Sequence, residues 1–381
     1  MASIRVADPM LPALGRDFNS LPADAAGAIT SFTLAYGLMQ LVWGPLGDRL
    51  GKLRLINWAT LAATLGSLLC ALSPTLSMLT VSRLLTGACC AAIIPMAIAY
   101  LGDTVEYSMR QAALARFATG TLTGMIAGQV IGGMAADTVG WRAAFGLLCV
   151  LFLITGIAVM RLRRRLDVTS TPQPLASMRL STIIASYAGV LRSGWSRWIL
   201  MAGLLEGAVM FGPMAFTPTW LHEDADVTLT VAGSIVASMG LGGLLYTSQA
   251  KRLITHLGES RLIGFGSVVV ALGLCALSAS VQLLPAQAVV LAAVGCCMML
   301  GFGFYMLHNT LQVLASQMSA QSRATAVGLF AVSIFLGQAG GVAIAARLIP
   351  IMGQDRLIIA SGILMAMLGS LLAWRVSWSP K

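Results

Sequence analysis

Gly44-Pro45-Leu46-Gly47-Asp48-Arg49-Leu50-Gly51-Lys52-Leu53-Arg54 is a short basic loop pressed between two apolar runs, and the layout of the chain follows from it. Lys and Arg beside membrane-spanning segments are retained on the cytoplasmic face, so Arg49, Lys52 and Arg54 place this loop inside and orient the spans on either side. Working outward, apolar runs lie at about 25–46, 53–72, 78–101, 112–136 and 142–160. Each is near the ~20 residues a helix needs to cross ~30 Å of hydrocarbon. Arg161, Arg163, Arg164 and Arg165 close the last of these runs and mark a second cytoplasmic exit. Further runs follow at about 198–220, 228–250, 261–280, 286–310, 324–348 and 356–375. Of the 24 Lys and Arg, 18 adjoin inner loops, four (Arg16, Arg142, Arg347, Arg356) adjoin outer ones, and Arg5 and Arg83 fall within spans. That asymmetry supports one topology throughout, with the central linker and the C-terminus cytoplasmic.

The bulk composition agrees. Over 381 residues, 57% are hydrophobic and 10% charged, and the mean hydropathy is +0.85, which describes an all-α integral membrane protein. Long continuous apolar runs argue against an outer-membrane barrel, whose strands alternate. The net charge of +10 sits beside membrane spans, so it reads as topology and implies no nucleic-acid partner. The seven cysteines all lie in apolar runs and none forms a C-x-x-C pair, so neither a metal site nor any cofactor is expected.

The chain is internally duplicated. Leu50-Gly51-x-x-Arg54-Leu55-Ile56 returns as Leu257-Gly258-x-x-Arg261-Leu262-Ile263, and Leu69-Cys70-Ala71-Leu72-Ser73 returns as Leu274-Cys275-Ala276-Leu277-Ser278. Gly128-Gln129 with Gly132-Gly133 is echoed by Gly337-Gln338 with Gly340-Gly341. The offset is nearly constant, so residues 1–165 and 198–381 form two pseudo-symmetric six-helix bundles joined by a cytoplasmic linker, 166–197. In the linker, Leu180, Ile183, Ile184, Tyr187, Val190 and Leu191 at helical spacing describe either an amphipathic helix on the inner leaflet or an additional packed element.

The loop pattern Gly44-x-x-Gly47-Asp48-Arg49-x-Gly51-Lys52-x-Arg54 resembles the loop 2–3 signature of the major facilitator superfamily of secondary transporters. Two further motifs carry the likeness across the chain. Gly124-x3-Gly128-Gln129-x2-Gly132-Gly133 resembles the antiporter motif of its 12-helix drug:proton antiporters, with Gln129 standing where a proline is usual and Ala115 at the leading glycine. Leu79-x3-Arg83-x3-Gly87 resembles the signature bearing an intramembrane arginine implicated in proton transfer. The resemblance implies the major facilitator fold, with parallel halves and substrate held between them near the midplane. It also implies a conformational gate at Gly44, Gly47, Asp48, Arg49, Gly51, Lys52 and Arg54, with Asp48 set against Ser322 and Arg323. From the residues themselves, the glycine row at small-xxx-small spacing equally describes close helix packing, and Arg83 equally describes a snorkelling side chain.

Asp8 and Glu206 are the acids placed inside the hydrocarbon. A proton can neutralise a carboxyl there and so couple its binding to a change of shape, which makes Arg5, Asp8, Arg83 and Glu206 the candidates for proton coupling or the substrate cavity. Asp8 also has Arg5 three residues away, which alone describes a structural ion pair. Glu206 has no neighbour in sequence to pair with, and His308, matched to Gly102 by the repeat, is expected at an interface.

These readings converge on a secondary transporter of the inner (plasma) membrane, working by alternating access, with proton-coupled efflux of a small molecule favoured over proton-coupled uptake of a metabolite. An intramembrane enzyme would need paired acids or a His/Asp cluster, and the three histidines are scattered. A non-transporting scaffold is the third alternative, because the first helix is expected to be incomplete. Aligning Pro12 with Pro218 leaves no equivalent of 198–206, so this helix should be about half the length of its counterpart, and an upstream start is expected. The substrate and the oligomeric state are not encoded in any motif.

Overall fold

The computed structural model describes residues 1–166, 180–319 and 322–378, and among them the chain is helical without strands. The opening stretch is α1 (Ala2–Arg5), a 3-10 turn (Asp8–Met10) and α2 (Leu11–Asp17). After α3 (Pro22–Ala25), the rest of the first half is α4 (Gly27–Leu50), α5 (Lys52–Ala71), α6 (Leu76–Cys90), α7 (Ile93–Thr104), α8 (Tyr107–Asp137) and α9 (Trp141–Arg165). A linker helix α10 (Leu180–Arg192) leads to α11 (Gly194–Met214), α12 (Thr217–Asp224), α13 (Leu229–Leu283), α14 (Ala286–Ser316), α15 (Arg323–Met352) and α16 (Gln354–Ser377). Nine described helices are long and apolar enough to cross a membrane. The 55 residues of α13 would span more than twice a bilayer if straight; instead the chain folds back at Gly258, where φ is 71°.

The duplication is visible in the backbone. Gly51 (φ 88°) and Gly258 (φ 71°) turn the chain at equivalent points, a conformation open to glycine and costly for other residues. The first helix of each half also breaks at the same repeat position. α2 starts at Leu11 and α12 at Thr217, an offset of 206, each just after a proline that removes a backbone donor. The opening stretch runs from Ala2 to Asp17 and its repeat counterpart lies within the 31 residues of Gly194–Asp224.

Gly51 and the chain reversals define two faces, a basic one and a distal one. At the distal face the halves share one apolar cluster, in which Met10, Leu14, Ile29 and Phe145 pack with Phe216, Val342 and Leu357. Toward the basic face the clusters are separate: Leu55, Ile56 and Met96 belong to the first half, and Tyr246, Leu262 and Met306 to the second. The halves therefore close on each other distally and part toward the basic loop. Of the linker, residues 167–179 lie outside the described residues. α10 packs against the bundle, burying Val190, and its Tyr187 hydroxyl donates to the Leu41 carbonyl at 3.2 Å.

Candidate functional site

Where the opening helix breaks, Asp8 is turned into the contact between the halves and is 1% exposed. Its Oδ2 lies 3.5 Å from Arg5 Nη1 and accepts from Gln129 Nε2 at 3.1 Å, while its Oδ1 has no hydrogen-bond partner among the described residues. Arg5 reaches the other way as well: Nη2 donates to Gln338 Oε1 at 3.5 Å, and the guanidinium sits 4.2 Å from the centre of the Phe211 ring. Arg5 thus holds a carboxylate of the first half and an amide and a ring of the second. Gln129 and Gln338 are repeat counterparts that serve opposite ends of this pair, one as donor and one as acceptor. The proline usual at position 129 could make no such bond, so the departure from the antiporter pattern supplies a ligand of Asp8. Arg5, Asp8, Gln129, Phe211, Met214 and Tyr305 line a cavity pinched to about 40 Å³. A larger groove of about 750 Å³ between the second arm of α13 and α16, lined by Val268, Leu272, Cys275 and Trp374, is apolar and away from these charges.

Glu206, on α11, is fully buried, and His308 of α14 approaches its Oε2 with Nδ1 at 3.3 Å. This corrects the expected interfacial position of His308, and it gives Glu206, which has no neighbour in sequence to pair with, a partner from another helix. The repeat misled because it aligns His308 with Gly102, a position without a side chain. The His308 ring stacks on Phe304, 5.1 Å between centroids and 14° between planes, and Phe304 meets Phe211 edge-on at 5.2 Å. An aromatic series therefore runs from the Arg5 guanidinium to the Glu206–His308 pair.

Arg83 does not snorkel. It is fully buried, with Nε on the Ala28 carbonyl at 3.1 Å, Nη1 on the Ser3 carbonyl at 2.8 Å, and the guanidinium 4.1 Å from the Phe32 ring centre. It ties α6 to the opening stretch a short distance from Arg5 and Asp8.

The glycine row packs helices. A Cβ on Gly128 or Gly132 would overlap the backbone of Ala2 or Val6, and one on Gly133 would overlap Leu229 of the other half, whereas Gly124 leaves ordinary contact distance to Met1 and Ala2. Directly beyond, Asp137 at the C-terminus of α8 receives the backbone N–H of Leu229 at 3.1 Å, and the N–H and hydroxyl of Thr230 at 2.6 Å each. A carboxylate of one half thereby caps the N-terminus of a helix of the other, across the distal face. No sequence signal marked Asp137, although a lone acid ending an apolar span could have been set against the Thr228 helix start. Partial burial draws the Asp137 carboxyl upward, but the bonds from Thr230 and Leu229 outweigh it and hold it below the usual carboxylate range. At the same face, Asp17 accepts from the Trp141 indole and the Arg142 guanidinium, both at 2.8 Å, and the indole bond chiefly holds its carboxyl below the usual range.

In the basic loop, Lys52 pairs with Asp103 of α7, and Arg54 lies 5.9 Å from the Trp58 ring centre. Gly51 makes the positive-φ turn and Gly47 packs against Met96. Gly44, by contrast, faces open space. The Asp48 side chain lies outside the described residues, so its expected contact with Ser322 and Arg323 is not described. Arg49 makes an interaction of its own.

Two solved structures similar to this architecture are transporters. The chain superposes on the nucleoside transporter NupG with a TM-score of 0.79, 12% identity, and coverage of 99% of this chain and 97% of that one. For the peptide transporter POT the TM-score is 0.74, with 15% identity and coverage of 99% and 91%. Among sequence relatives, the uncharacterized MFS-type transporter YceJ of Bacillus subtilis is 25% identical over 68% of this chain and 65% of its own length. The uncharacterized MFS-type transporter EfpA of Mycobacterium tuberculosis is 28% identical over 71% and 54%. The chain spans less than two thirds of the length of either of these two. PmrA of Streptococcus pneumoniae, a multi-drug resistance efflux pump, is 26% identical over 73% of this chain and 70% of its own length. The family profile described as Major Facilitator Superfamily matches residues 1–342, the first half and most of the second, so the chain belongs to the Major Facilitator Superfamily of membrane transporters.

Proposed function

We propose that this transporter exports a small molecule in exchange for protons, by alternating access between the two halves, with Asp8 and Glu206 as the groups that take up the proton. The observation that carries the reading is Arg5, held between Asp8 on one half and Gln338 with Phe211 on the other. A proton on Asp8 cancels the charge that attracts the guanidinium, leaving Arg5 its contacts to the second half alone. Protonation of one carboxyl thus changes which half holds the arginine, the differential interaction that coupling between a ligand and a conformation requires. The likeness to an efflux pump supports export over uptake. Proton-coupled uptake is the second reading, favoured by Gln129 in place of the antiporter proline. The basic face is the cytoplasmic one in this proposal, so the described conformation opens inward. The basic loop from Gly44 to Arg54 is its gate, and Asp48→Asn is expected to slow turnover while leaving substrate affinity within a few-fold.

The test uses inverted vesicles and proteoliposomes, with a panel of labelled metabolites and cationic dyes, with and without an imposed proton gradient. At least one compound should accumulate with the gradient, stop accumulating on addition of a protonophore, and fail to accumulate with Asp8→Asn. Flux that is the same with and without the gradient would show a uniporter, and no flux of any compound would favour the scaffold.

A further inference from the structure

We propose that His308 is the proton relay of Glu206, an assignment that rests on the proton-coupled reading above and adds the route by which protons reach that carboxyl. Glu206 itself has no accessible surface, whereas the His308 side chain keeps 20% of its own. A proton bound for Glu206 therefore meets the imidazole first. The two ring nitrogens face different surroundings: Nδ1 is 3.3 Å from Glu206 Oε2, and Nε2 lies on the opposite edge of the ring. Stacking on Phe304, with Phe330 at 5.8 Å between centroids, holds the ring in the plane that keeps Nδ1 on the carboxyl.

Among the described residues, His308 is the titratable group in contact with Glu206. α15 presents Phe330 and Ile334 to α11 at Gly203 and Gly207, and neither titrates. α14 adds Phe304 and Tyr305 one turn before His308, and Tyr305 faces the cavity that holds Arg5 and Asp8. On the side of the first half, the Arg5 guanidinium sits 4.2 Å from the centre of the Phe211 ring. The remaining carboxyl oxygen, Glu206 Oε1, has no hydrogen-bond partner among the described residues.

The step balances without a co-reactant. A proton from water adds to the Nε2 lone pair of the neutral Nδ1–H ring and gives an imidazolium. The Nδ1 proton then passes to Oε2, leaving Glu206 neutral and the ring as its Nε2–H tautomer, with the Nδ1 lone pair accepting from the new carboxyl. Release runs the same steps backward: Oε2 returns its proton to Nδ1, and Nε2 gives its proton to water. Histidine suits the task because an imidazole can take a proton on one ring nitrogen while giving one up from the other.

The experiment is time-resolved infrared spectroscopy of the full-length protein in lipid after a rapid pH jump, following the carboxyl C=O band that disappears in Glu206→Gln. In His308→Gln, which preserves an N–H donor toward Glu206 but cannot carry a proton, the band should keep its amplitude while its rate falls about 100-fold or more. Imidazole added to the buffer should restore the rate, which a merely structural role would not permit. His308→Asn repeats the test in case the longer amide disturbs packing. An unchanged rate in both variants overturns the relay and leaves the proton-coupled reading standing. Absence of any band assignable to Glu206 removes the proton-coupled role of that carboxyl, and the relay with it.

Discussion

At the scale of single residues, the buried charges in this bundle are each held by a specific set of partners. Arg83 spends its guanidinium on two main-chain carbonyls, Ala28 and Ser3, and on the face of Phe32. A lysine is a point charge without the planar fork, so Arg83→Lys leaves one carbonyl unpaired at about 1–3 kcal/mol. The expected outcome is a lower Tm in detergent; an unchanged Tm would mean that the carbonyls find other donors. Glu206→Gln mimics the protonated acid permanently. Gradient-driven flux should collapse while exchange without a gradient persists, as measured in parallel proteoliposome assays. Full coupling in that variant would move the role to Asp8.

At the scale of helices, two glycines of the sequence motifs part company. Gly132 lies under Val6 and Pro9, so Gly132→Ala forces the opening stretch off α8 and should destabilise by about 1–3 kcal/mol. Gly44 faces nothing within 4 Å inside α4, so Gly44→Ala should be neutral or gain about 0.5–1 kcal/mol from helix propensity. Thermal melts of the two alanine variants side by side check both signs. The cap that Asp137 places on the α13 N-terminus is the other element-scale device. Its carboxyl is held below the ordinary value of about 3.9, so the latch is complete above that value and is lost only as the pH falls through the lowered one. Distal closure should therefore be insensitive to pH around neutrality. Asp137→Asn should weaken it by about 1 kcal/mol at neutral pH, shifting the population several-fold toward distal opening. Spin-label distances across the distal face, recorded for both proteins over a pH series, would show this.

At the scale of the molecule, one apolar cluster joins the halves distally and two separate clusters lie toward the basic loop, so any rocking motion has to open the distal seam. Cysteines at Asp137 and Thr230 should form a disulfide under oxidation that stops transport completely, with reduction restoring it. Undiminished flux in the cross-linked protein would show that this seam need not open.

The order of the spans and the duplication were legible in the sequence alone, and both are local matters: hydrocarbon thickness dictates run length, and a repeat shows itself as recurring residues. That the matched glycines Gly51 and Gly258 turn the chain with positive φ was decided in the fold. Asp8 and Glu206 were legible too, because an acid inside an apolar run stands out without any partner being known. Their partners were not. His308 is 102 residues from Glu206 and Gln129 is 121 from Asp8, and neither pair has an echo in the repeat. A repeat aligns backbone positions, whereas hydrogen-bond partners depend on which faces of separate helices are turned together. Only the packing of α8, α11 and α14 around the broken opening helix decided that an atypical glutamine would hold Asp8 and that a histidine would meet Glu206.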